Sequence, residues 1–453
     1  MRVSVVGLGK VGLTLATSLA DGGQDVVGVD VSAGLVEAIS SGTIHTDELG
    51  VMERLKRTHG KNFRATTDMD DAILNSDVTF VIVPSPSNQL GGFSNSFILK
   101  ACESIGAALR KKTTPHGISI VSTMLPGSSD YSVIPALEEA SGRKVGETLH
   151  YCYNPAFIAL GEVVKGFETP DYVLIGEATQ ACGDLILEAL QPMLRNAPPL
   201  ARMTPIEAEI TKVASNTHET MRVAFANMLL TICGEVPGAN VDRITGALTH
   251  RMGRRFFKGA VPYGGPCWPR DNLALAVFMD AIGSPSTVPR TVHASNDHHG
   301  KYVLEKVMAL APRGRTVGII GLSYKPGTPV IEESYAVKLA RALNADGRKV
   351  LAWDPLVTAD NTPELTSVLT FNATAEETLA GADLTVVVNM MPELASIDWS
   401  AAAKSTVLDC WRCLNETQQL AMGRYLALGA NPPGDLHAFI GERIGRKFDL
   451  MTS

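Results

Sequence analysis

The sequence predicts an α/β protein in which two doubly wound, mostly parallel sheets are joined by a long central helix. Three observations predict this: a strand, Gly-rich turn and helix at the N-terminus, a helical pattern from Pro205 to Cys233, and a second strand-and-turn unit after Gly314. The 453 residues suffice for about three domains at ~150 residues each. We therefore predict domains at 1–200, 201–300 and 301–453.

The N-terminal unit begins with an apolar run that ends in a Gly-rich turn. The turn consists of Gly7, Leu8, Gly9, Lys10, Val11 and Gly12. Gly7 permits the tight turn, Gly9 lets a pyrophosphate approach the backbone, and Gly12 lets the helix and strand pack closely. A second apolar run ends at Asp30, whose carboxylate would accept from a ribose 2′-OH and repel a 2′-phosphate. The pattern indicates a Rossmann-like domain that binds NAD, with the turn residues and Asp30 as cofactor contacts.

Further strand-like runs extend this unit into a mostly parallel sheet. They lie at 78–83, 118–121, 149–153 and 172–175. Polar turns follow two of them, one with Pro84 and Ser85 and the other with Thr123. Because ligands of open α/β sheets bind at the carboxyl ends of strands, we expect these residues to contact the cofactor.

The rest of the chain divides at the long helix. From the residues alone, this helix is an inter-domain spine, a dimer interface, or both. The second unit has strand-like runs at 316–322, 350–353, 384–388 and 406–408, but its first turn lacks GxGxxG, so we expect a ligand other than a dinucleotide. Cys410 and Cys413 have CxxC spacing without a second such pair, and we assign no metal ligands. The chain after Asn415 stays unassigned.

Composition excludes several function classes. Lys and Arg number 40 and Asp and Glu 47, and the net charge of −7 argues against a surface for nucleic acid or anionic lipid. Seven scattered cysteines suit reduced thiols. No window approaches ~18 apolar residues, and no signal-peptide pattern opens the chain. We expect a cytoplasmic protein that binds neither nucleic acid nor membrane.

Two segments carry candidate chemistry. Cys267 lies in a loop with two glycines and three prolines, just before Arg270 and Asp271, where a thiol beside a guanidinium would be a nucleophile; a buried structural cysteine is the alternative. Lys212 and Asn216 are one turn apart on the long helix and form a candidate oxyanion clamp. The alternative is a plain ion pair between Glu209 and Lys212.

Taken together, the motifs resemble the UDP-glucose/GDP-mannose dehydrogenase family almost end to end. They are the N-terminal fingerprint, Pro84-Ser-Pro, Ser122-Thr123 with Pro126-Gly127, Asn154-Pro155-x-Phe157, Glu207-Ala-Glu209-x-x-Lys212 with Asn216, Arg251-Met-Gly253, Tyr263-Gly-Gly-x-Cys267-x-Pro-x-Asp271, and Gly321-Leu-x-Tyr-Lys325-Pro.

The resemblance implies a four-electron oxidation of the C6 alcohol of a sugar nucleotide, with two NAD+. Cys267 would capture the intermediate aldehyde and form a thioester that water hydrolyses. Lys212 and Asn216 would stabilise the oxyanion, and Asp271 would position Lys212 or water. It also implies a homodimer through the central helix, with a small helical dimerisation region.

The resemblance further assigns binding residues on both sides of the reaction. The cofactor contacts are Gly7, Gly9, Lys10, Val11, Gly12, Asp30, Pro84, Ser85, Thr123 and Lys325. The substrate contacts are Phe157, Lys212, Asn216, Tyr263, Gly264 and Lys325, with Arg251 from a partner subunit. Candidate phosphate contacts, with a solvated basic face as the alternative, are Arg254, Arg255 and Lys258.

The sequence departs from the family where hydrolysis is catalysed. The positions where the family has Glu are Ala156 and Leu160, and losing a positioned base typically costs about 10²–10⁴ in rate. Glu162 or Asp271 acting through water are the candidate replacements.

Other departures lie near the cysteine and the expected cofactor contacts. They are Pro266, Arg270 and Glu332, the last in place of a cationic cofactor contact, and the absence of the usual acids at 328–330. Arg412, in a loose match to a family motif, is a candidate substrate contact.

Three functions remain open from the sequence. The first is a full nucleotide-sugar 6-dehydrogenase. The second is an oxidoreductase that stops at the aldehyde or whose thioester is intercepted. The third is a non-catalytic binder of NAD or sugar nucleotides.

Overall fold

The computed structural model describes residues 1–443 and divides the chain into two compact units. The first unit comprises Met1–Ser215 and Ala274–Pro285, and the second comprises Asn216–Leu273 and the chain from Ser286 onward. Within the described part of the chain, no helix is long and apolar enough to span a bilayer.

The first unit is built on an eight-stranded sheet. Its strands are β1 (Arg2–Val6), β2 (Asp25–Val29), β3 (Phe63–Thr66), β4 (Val78–Val81), β5 (His116–Ile120), β6 (Leu149–Tyr153), β7 (Val173–Glu177) and β8 (Leu200–Met203). The order is β3-β2-β1-β4-β5-β6-β7-β8, and every neighbouring pair is parallel except β6 and β7. The carboxyl ends of β1, β2, β4 and β5 therefore share one edge.

Helices cover both faces of this sheet. They are α1 (Lys10–Asp21), α2 (Ala33–Ser40), α3 (Val51–Thr58), α4 (Met69–Leu74), α5 (Ser96–Leu109), α6 (Ile134–Ser141), α7 (Val163–Glu168) and α8 (Gln180–Leu190). Two separate apolar clusters, one around Val3 and Leu19 and the other around Ile105 and Ile118, pack on the sheet. Burial of both faces explains why the strands read as continuous apolar runs.

Four helices follow. They are α9 (Pro205–Glu235), α10 (Val241–Met252), α11 (Trp268–Ala281) and α12 (Val288–Leu310). Proline suits the first position of α9, and Glu207 accepts from both the backbone N–H and the hydroxyl of Thr204 at 2.9 and 2.6 Å. Helices α9 and α11 each begin in one unit and end in the other.

The second unit carries a six-stranded, fully parallel sheet. Its strands are β9 (Thr316–Ile320), β10 (Lys349–Trp353), β11 (Thr370–Phe371), β12 (Leu384–Val387), β13 (Thr406–Asp409) and β14 (Arg424–Ala427), in the order β11-β10-β9-β12-β13-β14. The remaining helices are α13 (Tyr335–Ala345), α14 (Ala375–Gly381), α15 (Glu416–Ala421) and α16 (Leu436–Arg443).

The predicted fold class is confirmed: two mostly parallel sheets, with one long helix starting at Pro205 between them in sequence. The eight strand-like runs named from the sequence after β2 all lie on observed strands. The sequence did not predict β3, β8, β11 and β14, which are short and present partly exposed positions. The strand end before Cys410 is confirmed, and Cys410 is fully buried there.

Candidate active site

The Gly-rich turn has the geometry that a dinucleotide requires. Gly7 has φ +92°, and a Cβ on it would lie 2.0 Å from the carbonyl oxygen of Ile82. A Cβ on Gly12 would lie 1.8 Å from the carbonyl oxygen of Gly7, so helix and turn pack too closely for any side chain. Gly9, the N-cap of α1, has open space where its Cβ would be. The unhindered helix N-terminus fits a pyrophosphate.

Asp30 directly follows β2 and is anchored beside this turn. Its Oδ2 accepts from the backbone N–H of Leu8 at 2.8 Å, and its Oδ1 accepts from the N–H of Ser32 at 2.9 Å. A carboxylate has about four acceptor positions, so hydroxyl donors can still bind it. Lys10, also on the turn, is exposed and ion-paired with Asp47 at 3.5 Å.

The loops after β4 and β5 are tied together at the same edge. The Ser122 hydroxyl donates to the carbonyl of Val83 at 2.7 Å and accepts from its N–H at 2.9 Å. This contact brings the loop with Thr123 beside the loop with Pro84 and Ser85. The structure therefore gathers the sequence-predicted cofactor residues of the first unit along one edge of its sheet.

Glu209, a buried residue on α9, fixes the far end of the Thr123 loop. Its carboxylate accepts from Gly127 N–H at 2.6 Å, from Ser129 N–H at 2.8 Å and from the Ser129 hydroxyl at 2.7 Å. Burial raises the pKa of the Glu209 carboxyl above its usual value. The carboxylate thus acts as an anchor for a loop.

Lys212 contacts the segment in which the sequence departs from the family. Its Nζ donates to the backbone carbonyl of Ala156 at 2.8 Å and lies 4.6 Å from the centre of the Phe157 ring. The Phe157 ring in turn packs on Tyr172 at 4.9 Å. The structure therefore brings together Lys212 and Phe157, two of the predicted substrate contacts. Leu160 packs against the apolar core, and Glu162 is an exposed residue that pairs with Lys165 at 3.3 Å.

In the second unit, Asn216 and Asp271 form a buried pair. Asn216 Nδ2 donates to Asp271 Oδ2 at 2.6 Å, and Arg270 Nε donates to Oδ1 at 3.1 Å. The Asp271 side chain is 1% exposed. The structure pairs the Asp271 carboxylate with Asn216 and Arg270, and the positioning of Lys212 or water by Asp271, which the resemblance implies, stays a prediction.

Cys267 immediately precedes α11 and is exposed. Its carbonyl accepts from the N–H of Asp271 at 2.8 Å, which closes the first turn of the helix. A thiolate at this position would lie next to the N-terminus of a helix, where the backbone N–H groups and the helix dipole favour negative charge. Burial in the protein core, the structural alternative for this cysteine, is contradicted by its exposure.

The loop that leads to Cys267 packs on the segment that carries Lys325. The N–H of Gly265, at φ +85°, donates to the carbonyl of Glu332 at 3.1 Å. A Cβ on Gly264 would lie 2.1 Å from the carbonyl oxygen of Glu333, and one on Gly265 would lie 2.5 Å from the Tyr324 ring. Only glycine permits this approach. The predicted residue Gly264 thus packs on the segment that carries Lys325.

Two sequence expectations change in this unit. Tyr263 was expected to contact substrate, but its ring is buried and its hydroxyl accepts from Asn272 Nδ2 at 3.1 Å. Arg412 was a candidate substrate contact, but its five N–H groups bind inside the protein. They donate to Asp242 Oδ1 and Oδ2 and to the carbonyls of Cys410, Leu428 and Gly259, at 2.6 to 3.0 Å. Arg412 is therefore an anchor.

The basic residues near the end of α10 are accessible. Arg251, Arg254 and Arg255 are exposed, and Lys258 is half-buried. Sequence reasoning did not identify Asn227, Asn296 and His299, buried polar residues whose side chains bind the loop before Cys267. The available signal was a polar residue inside an otherwise apolar helix face, a position that helix propensity disfavours.

Most of the chain matches models of one protein family. Family models described as the NAD binding domain, central domain and UDP binding domain of the UDP-glucose/GDP-mannose dehydrogenase family match residues 1–194, 206–298 and 318–416. The UDP-glucose 6-dehydrogenase AglM of Haloferax volcanii is 32% identical over 430 residues, 93% of this chain and 99% of that protein.

Two further similarities point the same way. The GDP-mannose 6-dehydrogenase of Pseudomonas putida is 31% identical, covering 92% of this chain and 97% of its own length. A solved UDP-glucose dehydrogenase from Pyrobaculum islandicum has a TM-score of 0.84 at 27% identity, covering 95% of this chain and 98% of that one.

Proposed function

Because this chain belongs to the UDP-glucose/GDP-mannose dehydrogenase family, whose members use NAD, we propose that it oxidises the C6 alcohol of a UDP-glucose-like nucleotide sugar to the uronic acid. The observation that carries the proposal is the exposed Cys267 at the start of α11, one helical turn from the buried Asn216–Asp271 pair. An accessible thiol beside a fixed amide donor is the arrangement that acyl chemistry on sulfur needs.

The reaction balances as one alcohol, two NAD+ and one water giving one carboxylate, two NADH and three protons. NAD+, when bound, would supply the acceptor for the hydride that leaves carbon in each oxidation. Between the two oxidations, the Cys267 thiolate adds to the aldehyde carbon and forms a C–S bond, and the carbonyl oxygen takes a proton. Loss of hydride from that carbon and of the proton from its hydroxyl gives the thioester. Water then breaks the C–S bond and restores the thiol.

Asn216 and Lys212 supply donors to the developing oxyanion in this scheme. One N–H of the Asn216 amide is held by Asp271, which fixes the plane of the amide and leaves its second N–H to donate to the substrate oxygen. The Lys212 ammonium, held by the Ala156 carbonyl, supplies positive charge. Removing one such donor typically costs about 10²–10³ in rate.

A second candidate function is supported by Ala156. A methyl group cannot act as the base for thioester hydrolysis, and the backbone carbonyl at this position is bound to Lys212. Without a base, the reaction would stop at the aldehyde or hold the thioester for another acceptor. The two functions differ in stoichiometry.

Cofactor residues fit the proposal. The open helix N-terminus at Gly9, the anchored Asp30 carboxylate and the loop with Thr123 would hold NAD, while Lys325 and the basic residues of the second unit would meet the diphosphate of the sugar nucleotide. Glu332, an exposed residue in place of the expected cationic cofactor contact, would weaken the hold on the NAD pyrophosphate.

A homodimer through α9 belongs to the same proposal. This helix exposes a stripe of large apolar side chains at helical spacing, namely Met221, Phe225, Met228 and Ile232, each 39–49% exposed. A stripe of this kind on a single helix is typical of a protein interface. A second copy of the chain would cover it and would bring Arg251 of the partner subunit to the substrate.

The deciding experiment incubates the purified protein with UDP-, GDP- and dTDP-sugars and counts NADH per sugar, with mass analysis of the product. We expect two NADH and a uronate with a UDP-hexose. One NADH and an aldehyde would favour the second candidate. Thermal shifts with NAD and sugar nucleotides, but no NADH from any of them, would indicate a binding protein.

A further inference from the structure

The segment from Gly259 to Gly265 that leads to Cys267 has no helix or strand of its own. Its buried backbone N–H and C=O groups therefore need partners from elsewhere in the protein. Most of those partners are side chains of the second unit, and most of these side chains are themselves buried polar groups.

Two asparagines and a histidine bind the backbone of this segment. Asn227, on α9, accepts from Ala260 N–H at 2.8 Å and donates to the carbonyl of Val261 at 3.3 Å. The imidazole Nε2 of His299, on α12, lies 2.7 Å from the carbonyl oxygen of Ala260. Burial lowers the pKa of His299 to about 4, so the ring is neutral at neutral pH and Nε2 carries the donated proton.

Asn296, one turn before His299 on α12, makes the most specific of these contacts. Its Oδ1 accepts from Tyr263 N–H at 3.0 Å, and its Nδ2 donates to the carbonyl of the same residue at 2.9 Å. A primary amide that binds both polar groups of one residue fixes the orientation of the backbone there. Asn296 is 6% exposed, so these bonds are shielded from water.

The two residues that follow Tyr263 on the way to Cys267 are also fixed in place. Gly264 and Gly265, which follow Tyr263, pack against the carbonyls of Glu333 and Glu332 with no room for a side chain. With Tyr263 bound on one side and the glycines on the other, the chain enters α11 in one conformation.

We propose that Asn296 is a positioning residue for Cys267. The two hydrogen bonds from Asn296 to the Tyr263 backbone place the Cys267 sulfur for addition to the aldehyde carbon. The kinetic consequence rests on the proposed function. The first oxidation does not involve the sulfur, whereas the second does. Because a misplacement of about 1 Å costs on the order of 100-fold in rate, loss of the hold slows the second oxidation selectively.

The test compares Asn296→Ala with the wild type by two measurements. Hydrogen exchange of the peptide that covers 259–271 reports whether Asn296 protects the Tyr263 backbone. We expect the Tyr263 amide to exchange at least tenfold faster in the variant. NADH per sugar reports the chemistry, and we expect it to fall from two towards one as aldehyde accumulates. Asn296→Asp keeps the acceptor but places a carboxylate oxygen against the Tyr263 carbonyl, so its ratio should fall at least as far as that of Asn296→Ala.

Two control variants separate positioning from stability. Val303→Ala removes a buried methyl pair on the same helix, away from the loop, and should lower Tm while leaving the NADH ratio at two. Val307→Ala, a second buried position on this helix outside the loop contacts, should likewise keep the ratio.

Each contrary result has a distinct meaning. Unchanged exchange of the Tyr263 amide in Asn296→Ala would show that Asn296 does not fix the Tyr263 backbone. Faster exchange with an unchanged ratio, or with equal loss of both oxidations, overturns the positioning role. If the wild-type protein yields no NADH from any sugar nucleotide, the proposed function is wrong. The exchange measurement still shows in that case whether Asn296 fixes the Tyr263 backbone.

Discussion

The amide of Asn216 donates to the carboxylate of Asp271 across 2.6 Å, and the carboxylate is 1% exposed. A charged hydrogen bond shielded from water is stronger than the same bond at the surface, so the amide has one orientation. Asp271 lies in the first turn of the helix that starts after Cys267. The same short segment therefore orients the Asn216 amide and carries the nucleophilic sulfur.

We expect Asp271→Ala to lower kcat at least tenfold with little change in KM, because the Asn216 amide loses its orientation while substrate contacts remain. Steady-state kinetics with the preferred sugar nucleotide measure this. Asp280→Ala, at an exposed position on the same helix, is the matched control and should retain activity. A rise in KM alone would place Asp271 in binding instead.

Cys267→Ser should retain binding of the sugar nucleotide and lose the second oxidation, because a serine hydroxyl is a far weaker nucleophile than a thiolate at neutral pH. The product should be an aldehyde with one NADH per sugar. Cys413→Ser, at a half-buried cysteine, should leave the yield unchanged. Normal carboxylate yield in Cys267→Ser would remove the cysteine from the mechanism.

Ala156→Glu should accelerate release of the acid, because it places a carboxylate where hydrolysis of a thioester needs a base. A positioned base contributes typically about 10²–10⁴ in rate, and we expect a gain of at least tenfold. Mass analysis of trapped thioester on Cys267 measures this. Ala156→Gln has the same shape without the base, and an equal gain in both variants would contradict the explanation.

Asp30→Asn should lower the ratio of kcat/KM with NAD to kcat/KM with NADP at least tenfold. The substitution removes the charge that repels a 2′-phosphate and keeps an acceptor near the Leu8 N–H. The ratio of kcat/KM for the two cofactors is the measurement. An unchanged ratio would show that another group sets the cofactor preference.

Stability should fall as the pH is lowered from about 6.5, and His116 should account for part of the loss. This ring is fully buried between Lys112 and Thr79, and burial lowers its pKa to about 3. Between pH 6.5 and about 3 only the unfolded chain takes up the proton. The contribution of His116 to the free energy of unfolding is therefore complete above pH 6.5 and is lost as the pH falls towards 3. The Tm of His116→Gln between pH 7 and 5 should vary less than that of the wild type. An identical pH profile would assign the loss to other groups.

The fold and much of the site could be predicted because they depend on local patterns. The turn from Gly7 to Gly12 and the acid at Asp30 follow from spacing alone, and the long helix follows from its periodicity. The hold of Asn296 on Tyr263 could not be predicted, because it joins residues 33 apart through a conformation that no spacing rule encodes. The same is true of Arg412, where the resemblance suggested a ligand contact and packing gives an anchor.

The reach of Arg412 has a consequence for how the protein is made. The carbonyl of Gly259 finds its guanidinium partner 153 positions further along the chain. During synthesis from the N-terminus, the cysteine segment leaves the ribosome long before that partner exists. The Gly259 carbonyl therefore lacks this partner in a nascent polypeptide until translation has passed β13, and products terminated before that point would keep it unpaired with Arg412.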